Sequence, residues 1–494
     1  MVFSPENAII LSLIIPLITG AGIVLASSRP NLREGITLVG SVLLFLVIAA
    51  LLPSILAGHR PTWALAEILP GLKLSFTVEP LGMMFAMVAA TLWPINSLYS
   101  IGYMRRNNEG NQTRFYLFFA IAISSVMGIA FAGNLLTLFV FYEILTLSTY
   151  PLVTHAGHAK ARDAGRVYLG ILISTSIGLL LPAIIWVWHL TGTTDFVAGG
   201  ILKDHINGPL LTLLAVLFIF GIGKAAVMPI HKWLPAAMVA PTPVSALLHA
   251  VAVVKAGVFS VVKVIAYIFG LEILRDAPGI DWLLGIACFT VVAASVIALK
   301  QDNIKRRLAY STIGQLSYVV MGALILAPLS LVGASLHIVA HAFGKITLFF
   351  AAGAIYTASK KTEVSQLNGI AKRMPITMAA FSIGALSMVA LPPVAGFLSK
   401  WYLLLGASQA ERYMAMGVIV LSTLLTAGYF VPIIYAAYLK DEDIEQKRDH
   451  GEAPLLMVLA LSLTACCTVL LFFFPGIPLE LAQTVGFVTQ RVEP

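Results

Sequence analysis

The sequence predicts an all-α polytopic membrane protein of about 14 transmembrane helices, with two inverted five-helix repeats and broken helices 7 and 12. Three observations carry that expectation. The 494 residues are 59% hydrophobic and only 11% charged, against roughly 25% charged in soluble domains. Apolar runs longer than about 18 residues recur along the chain, which is the length of a membrane helix and not of the short alternating strands of an outer-membrane barrel. With these runs taken as crossings, twenty of the 31 basic residues fall in loops on one side, six on the other, and five within the runs. The net charge of +8 therefore sets orientation and is not read as nucleic-acid binding. The same asymmetry places both termini on the outer face of a multi-pass protein of the cell inner (plasma) membrane.

Taken in order, the runs place helices near residues 7–27, 36–57, 77–101, 115–132, 134–154, 167–190, 209–230, 243–268, 281–299, 308–326, 329–356, 376–407, 414–438 and 453–475. The first is expected to be retained, because M-V-F-S-P-E-N lacks a basic leader and a small-residue cleavage site. Pro229, Pro235, Pro241 and Pro243 interrupt the seventh and eighth runs, since each removes a backbone donor and clashes with the preceding turn. Lys224 beside Pro229 is echoed five helices later by Lys400 beside Pro392 and Pro393. An odd number of spans per unit turns successive copies upside down, as in many transporters. The expected organisation is a three-helix region (1–110), a first repeat of helices 4–8 (111–270), a second of helices 9–13 (275–440), and helix 14 with its tail (441–494).

Ionisable residues inside the runs are the candidate functional groups. Glu143 stands alone in helix 5, where only a nearby cation would keep it ionised, and Lys224 of helix 7 is the candidate partner. The competing reading is a static pair fixing the two helices. Helix 8 carries His249, Lys255 and Lys263. His249 suits either a proton relay or bonding to the broken backbone, and Lys263, close to the helix end, is expected to snorkel to the surface. His337, His341 and Lys345 follow one another at i,i+4 spacing on helix 11 and form a polar stripe. Imidazole exchanges protons near neutral pH, which favours a relay over packing histidines. A metal site would need further ligands that the chain does not supply. The five embedded lysines and Glu143 would together cost on the order of 15–20 kcal/mol if inserted independently, which rivals the roughly 5–15 kcal/mol net stability of a fold. A connected array that moves protons accounts for such a burden.

Other titratable groups are read as support. Cys288, Cys466 and Cys467 lie in apolar runs without metal or cluster spacing and are expected to pack in the bundle, so no cofactor and no metal is expected. His155 and His158 are placed on the surface, and Asp302 is read as an anchoring charge rather than a proton inlet.

Several of these stretches together resemble the antiporter-like subunit family shared by Mrp-type Na+/H+ antiporters, respiratory complex I and membrane-bound hydrogenases. The matching pieces are F-Y-E at 141–143, K-A-A-V-M-P-I-H-K-W-L-P from 224, A-P-T-P-V-S-A-L-L-H-A-V-A-V-V-K-A-G from 240, L-A-Y-S-T-I-G-Q from 308, H-I-V-A-H-A-F-G-K from 337, and L-P-P-V-A-G-F-L-S-K ending at 400. The resemblance implies fourteen helices, two inverted repeats and a central hydrophilic axis. It assigns proton transfer to Glu143, Lys224, Lys255, His341 and Lys400; His249, His337 and Lys345 are read as supporting residues from their own positions. Chain length and Lys400, where the middle pumping subunit of complex I usually has glutamate, look most like the D-type subunit of the Mrp-type antiporter. The context after Glu143 departs from many D-type chains and keeps the respiratory branch as the alternative.

The expected function is therefore the proton-translocating subunit of a multisubunit Na+/H+ antiporter. The alternative is the proton-pumping subunit of a complex I-like NADH:quinone oxidoreductase or membrane-bound hydrogenase. In either case the partners are other membrane subunits, protons and, in the first, Na+. The chain presents no redox or hydrolytic motif of its own.

Overall fold

Helices occupy all fourteen expected places in the computed structural model, which describes residues 4–69, 72–442 and 451–487. In chain order they are α1 (Pro5–Leu25), α2 (Pro30–Leu56), α3 (Pro80–Arg106), α4 (Gln112–Ala130), α5 (Leu135–Val153), α6 (Ala159–Thr191), α7 (Gly208–Gly221), α8 (Thr242–Phe269), α9 (Ile280–Leu299), α10 (Ile304–Leu324), α11 (Pro328–Ser359), α12 in two pieces (Pro375–Val389 and Gly396–Gln409), α13 (Tyr413–Leu439) and α14 (Leu455–Phe473). Eleven of these are long and apolar enough to cross a membrane; the exceptions are α7, α10 and both pieces of α12. α7 and α12 fall short because they are interrupted. α10 is long enough, but Lys305, Arg306, Arg307 and Gln315 make it polar.

Local chemistry sets the helix starts. Proline stands in the first turn of α1, α2, α3 and α11, where its missing N–H costs nothing. Ser4, Asn134 and Asn303 accept hydrogen bonds from Asn7, Thr137 and Arg306 amides at 3.2, 2.8 and 3.1 Å, which satisfies donors that would otherwise be free. The two interruptions follow the prolines. After α7, a short turn at Gly223–Ala225 leads through Pro229 to a four-residue helix, Trp233–Ala236, before α8 begins at Thr242. In α12, Pro392 and Pro393 separate the two pieces.

Two elements were not foreseen. The connection between α2 and α3 is an antiparallel hairpin, β1 (Thr62–Leu69) and β2 (Leu72–Thr77), with Trp63 opposite Phe76 and their rings stacked 5.5 Å apart. It covers the end of α5, where the Asn134 side chain donates to the Lys73 carbonyl and to Ser75. A further helix, α15 (Gly476–Phe487), packs against α11 after α14.

α8 and α11 are enclosed on every side, whereas α1, α2, α13 and α14 turn Leu17, Ile18, Val39, Leu424 and Leu463 outward. A belt of exposed leucine, isoleucine and valine around a polar-centred bundle is what a bilayer solvates, and the chain is a multi-pass membrane protein. Loops expected on the basic side bind one another: Arg33 donates to Thr113 and Gln112, Arg105 pairs with Glu34, Lys360 reaches Asn107 at 2.6 Å, and Lys372 meets Asp441 at 2.9 Å. Arg412, expected on the other side, pairs with Asp281 at 2.7 Å. Lys447, Arg448 and Arg491 lie outside the described residues.

Three expectations are corrected. Lys263 does not snorkel; its ammonium is fully buried against Glu79. His155 is buried, its ring 6.0 Å from that of Phe115, while His158 stays exposed and caps α6. Cys466 faces outward from α14, because its position falls on the lipid side of that helix; Cys288 is buried.

Candidate functional site

The polar axis is built where straight helices meet the two breaks. A helix end leaves carbonyls without partners, and at the α12 break an ammonium group approaches such backbone. The first piece of α12 ends at Val389, and Lys400, in the second turn of the next piece, donates to the Met388 carbonyl at 3.0 Å and to Thr423 at 3.2 Å. A cation at a helix C-terminus also complements the helix dipole.

Lys224 sits in the turn after α7. Its ammonium donates to the Tyr142 carbonyl at 2.9 Å and to the Thr146 hydroxyl at 2.5 Å, and lies 3.1 Å from the centre of the Tyr142 ring. Its backbone N–H donates to the Tyr142 hydroxyl at 3.0 Å. The break is thus pinned to the turn of α5 that carries Glu143. The direct Glu143–Lys224 pair is not formed: neither Glu143 carboxylate oxygen has a hydrogen-bond partner among the described residues. Glu143 remains close enough for its charge to act on Lys224. Beside it, Ile144 and Leu147 face outward from α5.

α8 approaches this break closely because Gly257 has no side chain; a Cβ there would run into the Lys224 carbonyl and the Ala225 amide. Two residues earlier, the Lys255 ammonium lies 2.8 Å from His341 Nδ1 on α11. One turn away, His337 Nδ1 is 2.8 Å from the Ser399 hydroxyl, and the two imidazole centres are 6.1 Å apart. The Ser399 hydroxyl also lies 3.0 Å from the Gly396 carbonyl, to which it can donate. Lys400 follows Ser399 in the chain, and its ammonium lies 4.8 Å from the Tyr318 ring. Lys255, His341, His337, Ser399 and Lys400 form a sequence of neighbours across α8, α11 and α12.

Lys345 branches from this line. It donates to Ser311 on α10 at 2.8 Å, and Ser311 accepts from the Tyr429 hydroxyl of α13 at 3.0 Å. His249 lies against Phe349, ring centres 4.9 Å apart, and neither ring nitrogen has a partner among the described residues. It does not bond the broken backbone, one of the two roles the sequence allowed. Asp302 holds Ser365 through its amide and hydroxyl at 3.0 and 2.7 Å, an anchoring contact between loops.

On the basic side, a cavity of about 290 Å³ is lined by Tyr103, Glu109, Thr242, Lys305, Tyr356 and Thr362 and reaches the start of α8. Burial raises the Glu109 carboxyl above the ordinary carboxylate range, with Lys305 and Lys360 opposing the rise. Sequence reasoning missed Glu109 and every hydroxyl on the axis: Tyr142, Thr146, Ser311, Ser399, Thr423 and Tyr429. Hydroxyls in membrane helices ordinarily bond their own preceding turn, and nothing in the sequence distinguishes those that also meet a lysine.

Comparison with known proteins shows the family and the fold. The family described as "NADH:quinone oxidoreductase/Mrp antiporter, TM" matches residues 132–426, and the chain belongs to that family. Among its relatives, the NADH-quinone oxidoreductase N subunit of Desulforudis audaxviator (strain MP104C) is 32% identical over 81% of this chain and 77% of its own length. A probable K(+)/H(+) antiporter A/B subunit of Rhizobium meliloti (strain 1021) is 31% identical over 90% of this chain, which spans 44% of that relative's length. The fold matches a chain of the Mrp complex from Dietzia sp. DQ12-45-1b with a TM-score of 0.87 and 21% identity, over 99% and 97% of the two chains. It also matches a chain of the archaeal membrane-bound sulfane sulfur reductase with a TM-score of 0.84 and 23% identity, over 98% of each.

Proposed function

We propose that this chain is the proton-translocating subunit of a multisubunit monovalent cation (Na+)/H+ antiporter, working with other membrane subunits. The observation that carries the reading is the 2.8 Å contact between Lys255 and His341, which joins α8 to the line through His337 and Ser399 to Lys400. Two neutralisable bases at hydrogen-bond distance can exchange a proton without either crossing open hydrocarbon.

In the proposed cycle a proton reaches the buried line from the cavity at Glu109 and Thr242 and is held alternately on Lys224 and on the Lys255–His341 pair. Glu143 acts on Lys224 through its charge: ionised, it favours the ammonium, and protonated, it lets Lys224 give its proton up. His337 and Ser399 pass the change to Lys400, with His249 and Lys345 in support. Na+ or another monovalent cation moves oppositely through the assembled complex. Residues 111–270 and 275–440 would form two inverted repeats, flanked by 1–110 and 441–494, with the termini on the outer face. The breaks in α7 and α12 fall in the fourth helix of each unit, which supports that division.

A second reading has its own support: the 32% identical relative is named as an NADH-quinone oxidoreductase subunit. The same line would then be a pump module driven by electron transfer in partner subunits. The deciding experiment measures Na+- and K+-dependent proton movement in vesicles holding the complete complex without electron donor. Coupled exchange that disappears in Lys224→Ala supports the antiporter. Movement that starts only with NADH, ferredoxin or hydrogen supports the pump, and undiminished movement in Lys224→Ala overturns the relay in both.

A further inference from the structure

Of the five embedded lysines, Lys263 is not engaged by the line described above. It lies eight residues beyond Lys255 on α8, about 12 Å along the axis at roughly 1.5 Å per residue, toward the end opposite the α7 break. Its ammonium is 3.1 Å from the Glu79 carboxylate at the start of α3, donates to the Ala132 carbonyl at 2.6 Å, and lies 4.5 Å from the centre of the Phe196 ring. Four residues on, the Tyr267 hydroxyl is buried without a partner among the described residues. Arg60, half-buried in the loop after α2, is the other charged group acting on Glu79 and on Tyr267.

A static pin would need only a donor for the Ala132 carbonyl, and a buried ion pair is weak evidence of stabilisation because desolvating both charges offsets their attraction. The backbone supplies a second observation. α8 contains two wide turns of π type, Leu247–Val251 and Ile265–Phe269. One presents His249 and the other Tyr267, and both side chains lack hydrogen-bond partners among the described residues. Such turns recur at functional sites, where they re-aim a side chain. The enclosed helix thus carries an unpartnered titratable ring near each end, with Lys255 between them.

We propose that Glu79 and Lys263, flanked by Tyr267, form an outer proton-transfer pair that connects the buried line to the face opposite the Glu109 cavity. The inference rests on the relay reading given under the proposed function. The Lys263 ammonium gives its proton to the Glu79 carboxylate, leaving an amine beside a carboxylic acid. The acid releases that proton to water on the Arg60 side, and the amine takes its next from the Lys255–His341 side. No bond other than those to the proton is made or broken.

The test uses vesicles containing the complete complex, with a pH-sensitive dye reporting proton movement and with assembled complex and its Tm measured alongside. Lys263→Arg keeps the positive charge and the pairing with Glu79 but does not release a proton at accessible pH. Glu79→Gln keeps the shape and removes the acceptor. Both are expected to slow proton movement at least about tenfold while assembly and Tm stay near wild type. A wild-type rate in Lys263→Arg would show the pair to be a static pin and overturn the proposal. Should that variant not assemble, a wild-type rate in Glu79→Gln overturns it instead. Lys224→Ala, run in parallel, separates the two readings: transport lost there but kept in Lys263→Arg sinks only the outer pair, whereas transport kept in Lys224→Ala sinks the relay itself.

Discussion

Replacing Lys224 by methionine should abolish proton movement yet leave the protein about as stable as before. The ammonium makes two hydrogen bonds, to the Tyr142 carbonyl and the Thr146 hydroxyl, each worth about 1.5–3 kcal/mol for a charged donor. Against that stands the desolvation of a fully buried cation, several kcal/mol even after relaxation. Methionine is unbranched and of similar length, so it fills the space without strain. Removing the donor strands no acceptor, because Thr146 already donates to the Tyr142 carbonyl at 3.1 Å and the Lys224 backbone N–H keeps its bond to the Tyr142 hydroxyl. The two contributions nearly cancel, leaving a net change within about 2 kcal/mol of zero, or a few degrees in Tm for a protein of this size. The assay pairs dye-reported proton movement in vesicles with the Tm of the purified complex. A wild-type rate would refute the role of Lys224. A fall in Tm of more than about 10 °C would refute the energetic reasoning and make Lys224 a structural pin.

Further outcomes follow from particular contacts. Gly257→Val should force α8 off the Lys224 backbone, costing about 1–3 kcal/mol as overpacking and slowing transport, whereas Gly285→Ala, with open space around it, should be silent in both Tm and transport. Lys255→Arg, charged but unable to hand on its proton, should slow proton movement at least about tenfold with assembly retained; a wild-type rate would exclude Lys255 from the path. Glu109→Gln should slow proton movement that starts from the basic side, measured in vesicles of known orientation; a wild-type rate would remove Glu109 from the entry path. His155 gives a pH signature: burial, then the Arg114 charge, lowers its proton affinity in the folded state. The unfolded chain then binds the extra proton, so stability is present above the ordinary histidine range near pH 6.5 and declines as pH falls through it. His155→Phe should shrink the Tm difference between about pH 5 and pH 8; an unchanged difference would assign that dependence elsewhere.

How much of this was legible in the sequence differs from residue to residue. The helices were visible because a bilayer demands apolar length, and the axis residues because each is an expensive exception to it. The breaks were visible through proline. What a lysine touches was not visible. Lys224 points to a carbonyl and a hydroxyl rather than to the lone acid one position away, and Lys263 is sealed by a glutamate from a helix 184 positions earlier in the chain. The hairpin escaped notice because T-W-A-L-A-E-I-L alternates only partly and its strands are held by Asn134 of α5, a long-range contact. Cys466 and His155 were misplaced for one reason: the apolarity or charge of a segment does not say which face of it meets the bundle.

The length of α11 bears on which parts move. At 32 residues it is an unbroken rod of about 48 Å, longer than the roughly 30 Å of hydrocarbon it crosses, and it is enclosed on every side. His337 and His341 ride on it one turn apart, and their 6.1 Å separation is the rise of four helical residues. Those rings are sleepers on one rail, spaced by the helix that carries them. Lys224, by contrast, stands in the turn that interrupts the chain after α7, and Lys400 lies one turn past the break in α12. In a relay of the kind proposed, rearrangement would fall to the lysines beside the two breaks rather than to the rod between them.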